Sequence, residues 1–122
     1  RVTGGEPAGA DDAARSLAAG RRVTEHRPET VADGLRALIG KRNFTILCEH
    51  GINVLTVDEP AIVDAMRLVW RHLKQGVEPS CAVPLAAVLA NRERFADRRV
   101  AVVLTGGNVA VDRVLERLET DA

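Results

Sequence analysis

Arg99-Val100-Ala101-Val102-Val103-Leu104 runs straight into Thr105-Gly106-Gly107-Asn108. The run is apolar, rich in β-branched residues, and does not alternate with polar ones. Strict alternation marks a sheet with one wet face, whereas a continuous apolar run marks a central parallel strand covered on both faces. The Gly-Gly-Asn that follows reads as the turn that ends it. Such a strand needs helices above and below, so the stretch predicts an α/β fold.

Working back from it, Val83 to Ala90 is apolar on every side, which predicts a buried helix. Glu78-Pro79-Ser80 opens that element, and Pro84 is expected in its first turn, where the missing N–H does no harm. Asp58 is placed to cap a longer helix with Pro60 in its first turn. The apolar positions Ile62, Val63, Met66, Val69, Trp70 and Leu73 form its stripe at helical period. Asn53 to Val57 is β-prone, Phe44 to His50 predicts a short helix stopped by Gly51, and Thr30 to Leu38 another with Gly34 inside it. Asp11-Asp12 and Gly20 bracket a helix over Ala13–Ala19. Arg1 to Pro7 reads as the tail of a strand and its exit loop, and Val109 to Leu118 as a closing helix. The sum is a three-layer α/β architecture, an open and mostly parallel sheet flanked by helices. There is no internal repeat and no domain boundary within 1–122.

Composition narrows the function classes. The 122 residues carry 17 basic and 17 acidic side chains, a balance that disfavours nucleic acid or an anionic membrane as partner. No apolar run approaches the ~20 residues that span a bilayer. Cys48 and Cys81 form neither a CxxC pair nor a disulfide framework, and a reducing, cytoplasmic setting is expected. His26, His50 and His72 have no metal-ligand spacing.

Three segments carry candidate chemistry. In open α/β sheets ligands bind just past the carboxyl ends of strands, where Gly106 and Gly107 would admit a ring or phosphate close to the backbone and Thr105 would offer a hydroxyl; a plain strand-to-helix turn explains the same residues. Glu6-Pro7-Ala8-Gly9-Ala10-Asp11-Asp12 is an oxygen-rich loop suited to Mg2+, Mn2+ or Ca2+, or a simple helix start whose acids complement the dipole. Glu78, at the mouth of an apolar helix, is either a site carboxylate or an exposed helix-start charge.

Together and in order, Glu6–Asp12, Val31-Ala32-Asp33-Gly34, Ala65–Trp70, Val77–Ser80 with Ala86–Leu89, and Leu104–Asn108 resemble the C-terminal half of fold-type II pyridoxal-phosphate (PLP) enzymes. The family includes serine/threonine dehydratases, hydroxyaspartate dehydratases and serine racemase, and the resemblance runs over nearly the whole chain. It implies that residues 1–122 are the C-terminal part of the large, PLP-binding domain. It implies that Thr105 bonds the pyridine nitrogen, that Gly34 and Glu78 lie beside the ring, and that Gly106, Gly107 and Asn108 complete the cofactor-facing turn. Glu6, Ala10 (through its carbonyl) and Asp12 match a divalent-cation site. Gly5, Cys81 and Pro84 depart from the usual pattern.

The family also needs a lysine to carry the cofactor and move the Cα proton, and a glycine-rich loop for the phosphate. The only lysines here are Lys41 and Lys74, and neither has the family's context. Both missing parts are expected upstream in a longer polypeptide, so the chain alone should be inactive. The implied activity is a dehydratase (ammonia-lyase) acting on serine, threonine or hydroxyaspartate, in a homodimer. The alternatives are racemisation and a non-catalytic binding module.

Overall fold

The computed structural model describes residues 1–110 together with Asp112 and Glu116. Two strands, β1 (Thr3–Pro7) and β2 (Asn53–Val57), pair in parallel, from Thr3 opposite Asn53 to Pro7 opposite Val57. A parallel pair requires a crossover, supplied by α1 (Asp12–Ala19), the long connection after Gly20, and α2 (Lys41–Glu49). After β2 come α3 (Glu59–Leu73), α4 (Pro79–Ala90) and the single turn α5 (Arg92–Phe95).

Side chains alternate across a strand, so Gly5 and Glu6 face opposite sides of the sheet. A Cβ at Gly5 would meet the Val83 carbonyl oxygen at 3.2 Å and Pro84 Cα at 3.3 Å, so α4 lies tight on that face. On the other face Glu6 reaches the start of α1. Helix, sheet and helix therefore stack as expected. Helix α3 covers α4, and the core joins Leu55 and Val57 of β2 to Ile62, Met66 and Val69 of α3 and to Val83 of α4. Burying such aliphatic side chains stabilises by roughly 1.5–3 kcal/mol each.

Local signals account for the best-placed elements. Asp58 caps α3 by accepting the Ala61 N–H at 3.0 Å, with proline in the first turn. Gly20 ends α1 at φ 64, a conformation that favours glycine.

Four expectations change. The run Arg99–Leu104 belongs to no strand, and Val100 and Val103 are 42% and 69% exposed. A strand exists only through a neighbour's hydrogen bonds, and among the described residues none lies alongside this run. Residues 30–38 form no α-helix, only a 3-10 turn at Asp33–Leu35, because their amides bond side chains instead of a helical ladder. Helix α4 begins at Pro79, which puts Pro84 inside it and not in its first turn. The Pro84 Cα lies close to Gly5, where an added Cβ would stand 3.3 Å from it, so two departures from the family pattern meet in one contact. Finally, the buried stripe of α3 is Ile62, Ala65, Met66 and Val69, while Trp70 and Leu73 are exposed because the last turn runs past α4. Apart from Val109, Ala110, Asp112 and Glu116, the expected closing helix lies outside the described residues.

Candidate functional site

The start of α4 is where three distant segments meet. Glu78 is its N-cap residue, extended at ψ 155, and its carboxylate makes no capping bond to the helix. Its N–H donates to the Gly106 carbonyl at 3.3 Å. Its Oε1 lies over Gly106, where an added Cβ would stand 3.2 Å away. A Cβ on Gly107 would come within 2.5 Å of the Gly76 carbonyl oxygen, so the loop before α4 and the Gly106-Gly107 turn pack backbone on backbone. The glycine pair is thus required for close approach.

The third segment is the turn at Asp33–Leu35. The Gly34 N–H donates to Ser80 Oγ at 3.0 Å, and a Cβ on Gly34 would crowd that oxygen at 2.9 Å. Gly34 and Thr105 are exposed and Glu78 is half-buried. Glu78, Gly106, Gly107 and, through Ser80, Gly34 are therefore brought to one end of α4. Thr105 adjoins them in the chain, directly before Gly106; Asn108 is exposed. The sequence singles out neither Ser80 nor Glu59, which accepts the Val31 N–H at 2.7 Å. The available signal for Ser80 is its place after Glu78-Pro79, in the first turn of a helix whose leading amides are open.

Glu6, Ala10 and Asp12 do lie together at the start of α1, but not as a cation cage. Glu6 Oε1 and Oε2 accept the Ala13 and Ala14 N–H groups at 3.0 and 2.9 Å, capping α1 from the strand. Burial pushes the Glu6 carboxyl above its ordinary value, and Asp12 and Asp11 add to the rise; the two amide bonds oppose it. Asp12, almost fully buried, accepts the Ile39 N–H at 2.7 Å and stands 3.6 Å from His26 Nδ1. No group of three or more His, Cys, Asp or Glu side chains among the described residues is arranged to hold a metal ion. Here the Glu6 and Asp12 carboxylates serve as a helix cap and a loop clasp.

Lys41 is exposed at the head of α2, and Lys74 Nζ donates to the Arg71 carbonyl at 2.8 Å. A separate cleft of about 980 Å³ runs between Thr3, Gly4 and Gly5 on one side and Val100–Val103 on the other. Among the described residues, no helix is long and apolar enough to cross a membrane.

Residues 1–106 match the family described as pyridoxal-phosphate dependent enzyme. A β-hydroxyaspartate dehydratase of Paracoccus denitrificans is 46% identical over 114 residues, which is 93% of this chain and 36% of that protein. The structure of maize serine racemase superposes with a TM-score of 0.85 at 37% identity, covering 95% of this chain and 37% of that one. The threonine deaminase of T.th. superposes with a TM-score of 0.83 at 49% identity, covering 89% of this chain and 40% of that one. The chain spans little more than a third of the length of the curated relatives it matches.

Proposed function

The chain belongs to the pyridoxal-phosphate dependent enzyme family, and from that premise we propose that it is the C-terminal part of the large domain of a dehydratase. The substrate class is a small β-hydroxy amino acid (serine, threonine or hydroxyaspartate), and the products are ammonia and a 2-oxo acid. The observation that carries this is the meeting of Glu78, Gly106 and the Gly34 turn at the head of α4.

Those residues suit the ring end of pyridoxal phosphate. Glycines at 34, 106 and 107 leave backbone bare of side chains, an exposed hydroxyl stands at Thr105, and the Glu78 carboxylate is not spent on capping. The cofactor supplies the electron sink for a Cα carbanion. In this proposal Thr105 donates or accepts a hydrogen bond at the ring nitrogen without forcing a proton onto it. Gly34 and Glu78 flank the ring, and Gly106, Gly107 and Asn108 shape the turn beneath. The lysine that moves the Cα proton and the loop that binds the phosphate come from the rest of the polypeptide. That remainder also adds strands in the cleft beside β1, where Val100–Val103 would gain the partners they lack. On the family resemblance, Glu6, the Ala10 carbonyl and Asp12 are proposed as ligands of a divalent cation, which would have to draw their carboxylates from the Ala13, Ala14 and Ile39 amides they bond here. A cytoplasmic homodimer completes the proposal; the two unbonded cysteines fit a reducing compartment.

The test is to incubate the full-length protein with serine, threonine and threo-3-hydroxyaspartate and measure ammonia and oxo acid. Release from at least one supports the proposal; release from none, with pyridoxal phosphate bound, refutes it. The likeness to maize serine racemase keeps racemisation as the second reading, and formation of the opposite enantiomer would reveal it.

A further inference from the structure

Four consecutive backbone amides in the Gly34 turn have named acceptors. Val31 N–H donates to Glu59 Oε2 at 2.7 Å, Ala32 N–H to Thr30 Oγ1 at 3.1 Å, and Asp33 N–H to the Val31 carbonyl at 3.0 Å; Gly34 N–H is shared between Ser80 Oγ and Asp33 Oδ1, both at 3.0 Å. Thr30, Val31 and Asp33 are local acceptors. The other two come from the first turns of different helices, Glu59 opening α3 and Ser80 in the first turn of α4. The turn is thus pinned at both ends by side chains 28 and 46 residues away in sequence. Arg36 tightens it further, donating to the Thr30 carbonyl at 2.7 and 3.2 Å.

We propose that Glu59 and Ser80 are positioning residues that set the height of the Gly34 backbone beside the cofactor ring. The proposal rests on the functional reading above, since it gives Gly34 its place next to the ring. Glu59 Oε1 is buried without a hydrogen-bond partner among the described residues. A buried carboxylate oxygen left unmatched is costly, and the side chain is retained there with a single contact, the Val31 amide. Ser80 has a double constraint. Its oxygen shares the Gly34 proton with Asp33 Oδ1 and also occupies the space a Gly34 Cβ would need. A ring stacked beside Gly34 meets bare backbone only while both pins hold. Without them the turn would exchange between conformers, and the lost order would appear as weaker cofactor binding.

The experiment uses the full-length protein and titrates pyridoxal phosphate by visible absorbance. Alongside it, amide hydrogen exchange is followed over residues 30–36 in the cofactor-free form. Ser80→Ala and Glu59→Ala should each weaken cofactor binding by roughly three- to tenfold and speed exchange at Gly34 and Val31, respectively. Ser80→Thr and Glu59→Gln keep an acceptor oxygen and should restore both readouts. Gly34→Ala should weaken binding as well, and the penalty should shrink in the Ser80→Ala background, because the oxygen it clashes with is gone. Wild-type affinity and unchanged exchange in both alanine variants would overturn the positioning role while leaving the functional reading intact. A wild-type protein that binds no pyridoxal phosphate would overturn the functional reading, and the positioning role with it. If Glu59→Ala does not fold, the Gly34→Ala pair decides: strictly additive effects refute the coupling and sub-additive effects support it. If Ser80→Ala does not fold, Glu59→Ala decides: unchanged affinity and unchanged exchange at Val31 refute the positioning role, and loss of both with rescue by Glu59→Gln supports it.

Discussion

Asn53–Val57 and Arg99–Leu104 are the two most strand-like runs in the chain, and only the first is a strand. Asn53–Val57 has β1 beside it and α4 beneath, and Leu55 and Val57 are buried. Arg99–Leu104 carries three β-branched residues, as many as Asn53–Val57, yet Val103 is mostly exposed and the run faces a cleft. β-propensity describes a fit to a pleated, half-buried surface; it becomes structure only where that surface exists. The paired run holds the core together, and the unpaired run leads into the turn assigned to the cofactor.

The comparison breaks first at Leu55. Leu55→Ala removes packing between β2 and α4 and should lower stability by about 2–5 kcal/mol in thermal or denaturant unfolding; an effect under ~1 kcal/mol would mean that the paired run is not central. Gly107→Ala comes next. Its Cβ would stand 2.5 Å from the Gly76 carbonyl oxygen, and backbone on both sides must shift. A loss of about 1–3 kcal/mol is expected, together with weaker pyridoxal phosphate binding measured by titration.

Glu6→Ala should cost about 1 kcal/mol by uncapping α1, read as a lower unfolding midpoint. Because the folded-state carboxyl is raised above its ordinary value of 4.5, the folded form holds that proton more tightly than the unfolded chain. The contribution of Glu6 protonation is therefore fully present below that ordinary value and is lost as pH rises through the raised one. Glu6→Gln should flatten this part of the stability–pH curve; a curve identical to wild type would remove the assignment. Smallest is Val103→Ala, which should change the stability of this chain by less than ~0.5 kcal/mol. In the full-length protein, with strands added beside the run, the same substitution should cost more than about 1 kcal/mol. Equal small effects in both would refute the strand addition.

What the sequence discloses follows the same division. Asp58, Pro60 and Gly20 act through their immediate neighbours, and the ends they mark are where the structure puts them. The start of α4 lies a turn earlier than expected, with Pro84 inside the helix and its Cα close to Gly5, 79 positions earlier, a contact that no local pattern encodes. The turn at Asp33–Leu35 reads as a helix for a like reason: its amides are claimed by Glu59 and Ser80. Of the candidate site, Glu78, Gly106, Gly107 and Gly34 can be named from motifs, since close backbone approach demands glycine. Ser80 and Glu59 cannot, because a serine or glutamate at a helix start has a sufficient local explanation. The same ambiguity holds at Glu6 and Asp12, where acids that look like cation ligands also bond backbone amides.

The most direct measurement is a pyridoxal phosphate titration of the full-length protein and of its Thr105→Ala variant, followed by visible absorbance. A saturable band in the wild type, with clearly weaker binding or an altered band in the variant, is the predicted result. No band in the wild type, or a variant indistinguishable from it in both affinity and spectrum, would contradict the placement of this chain against the cofactor ring.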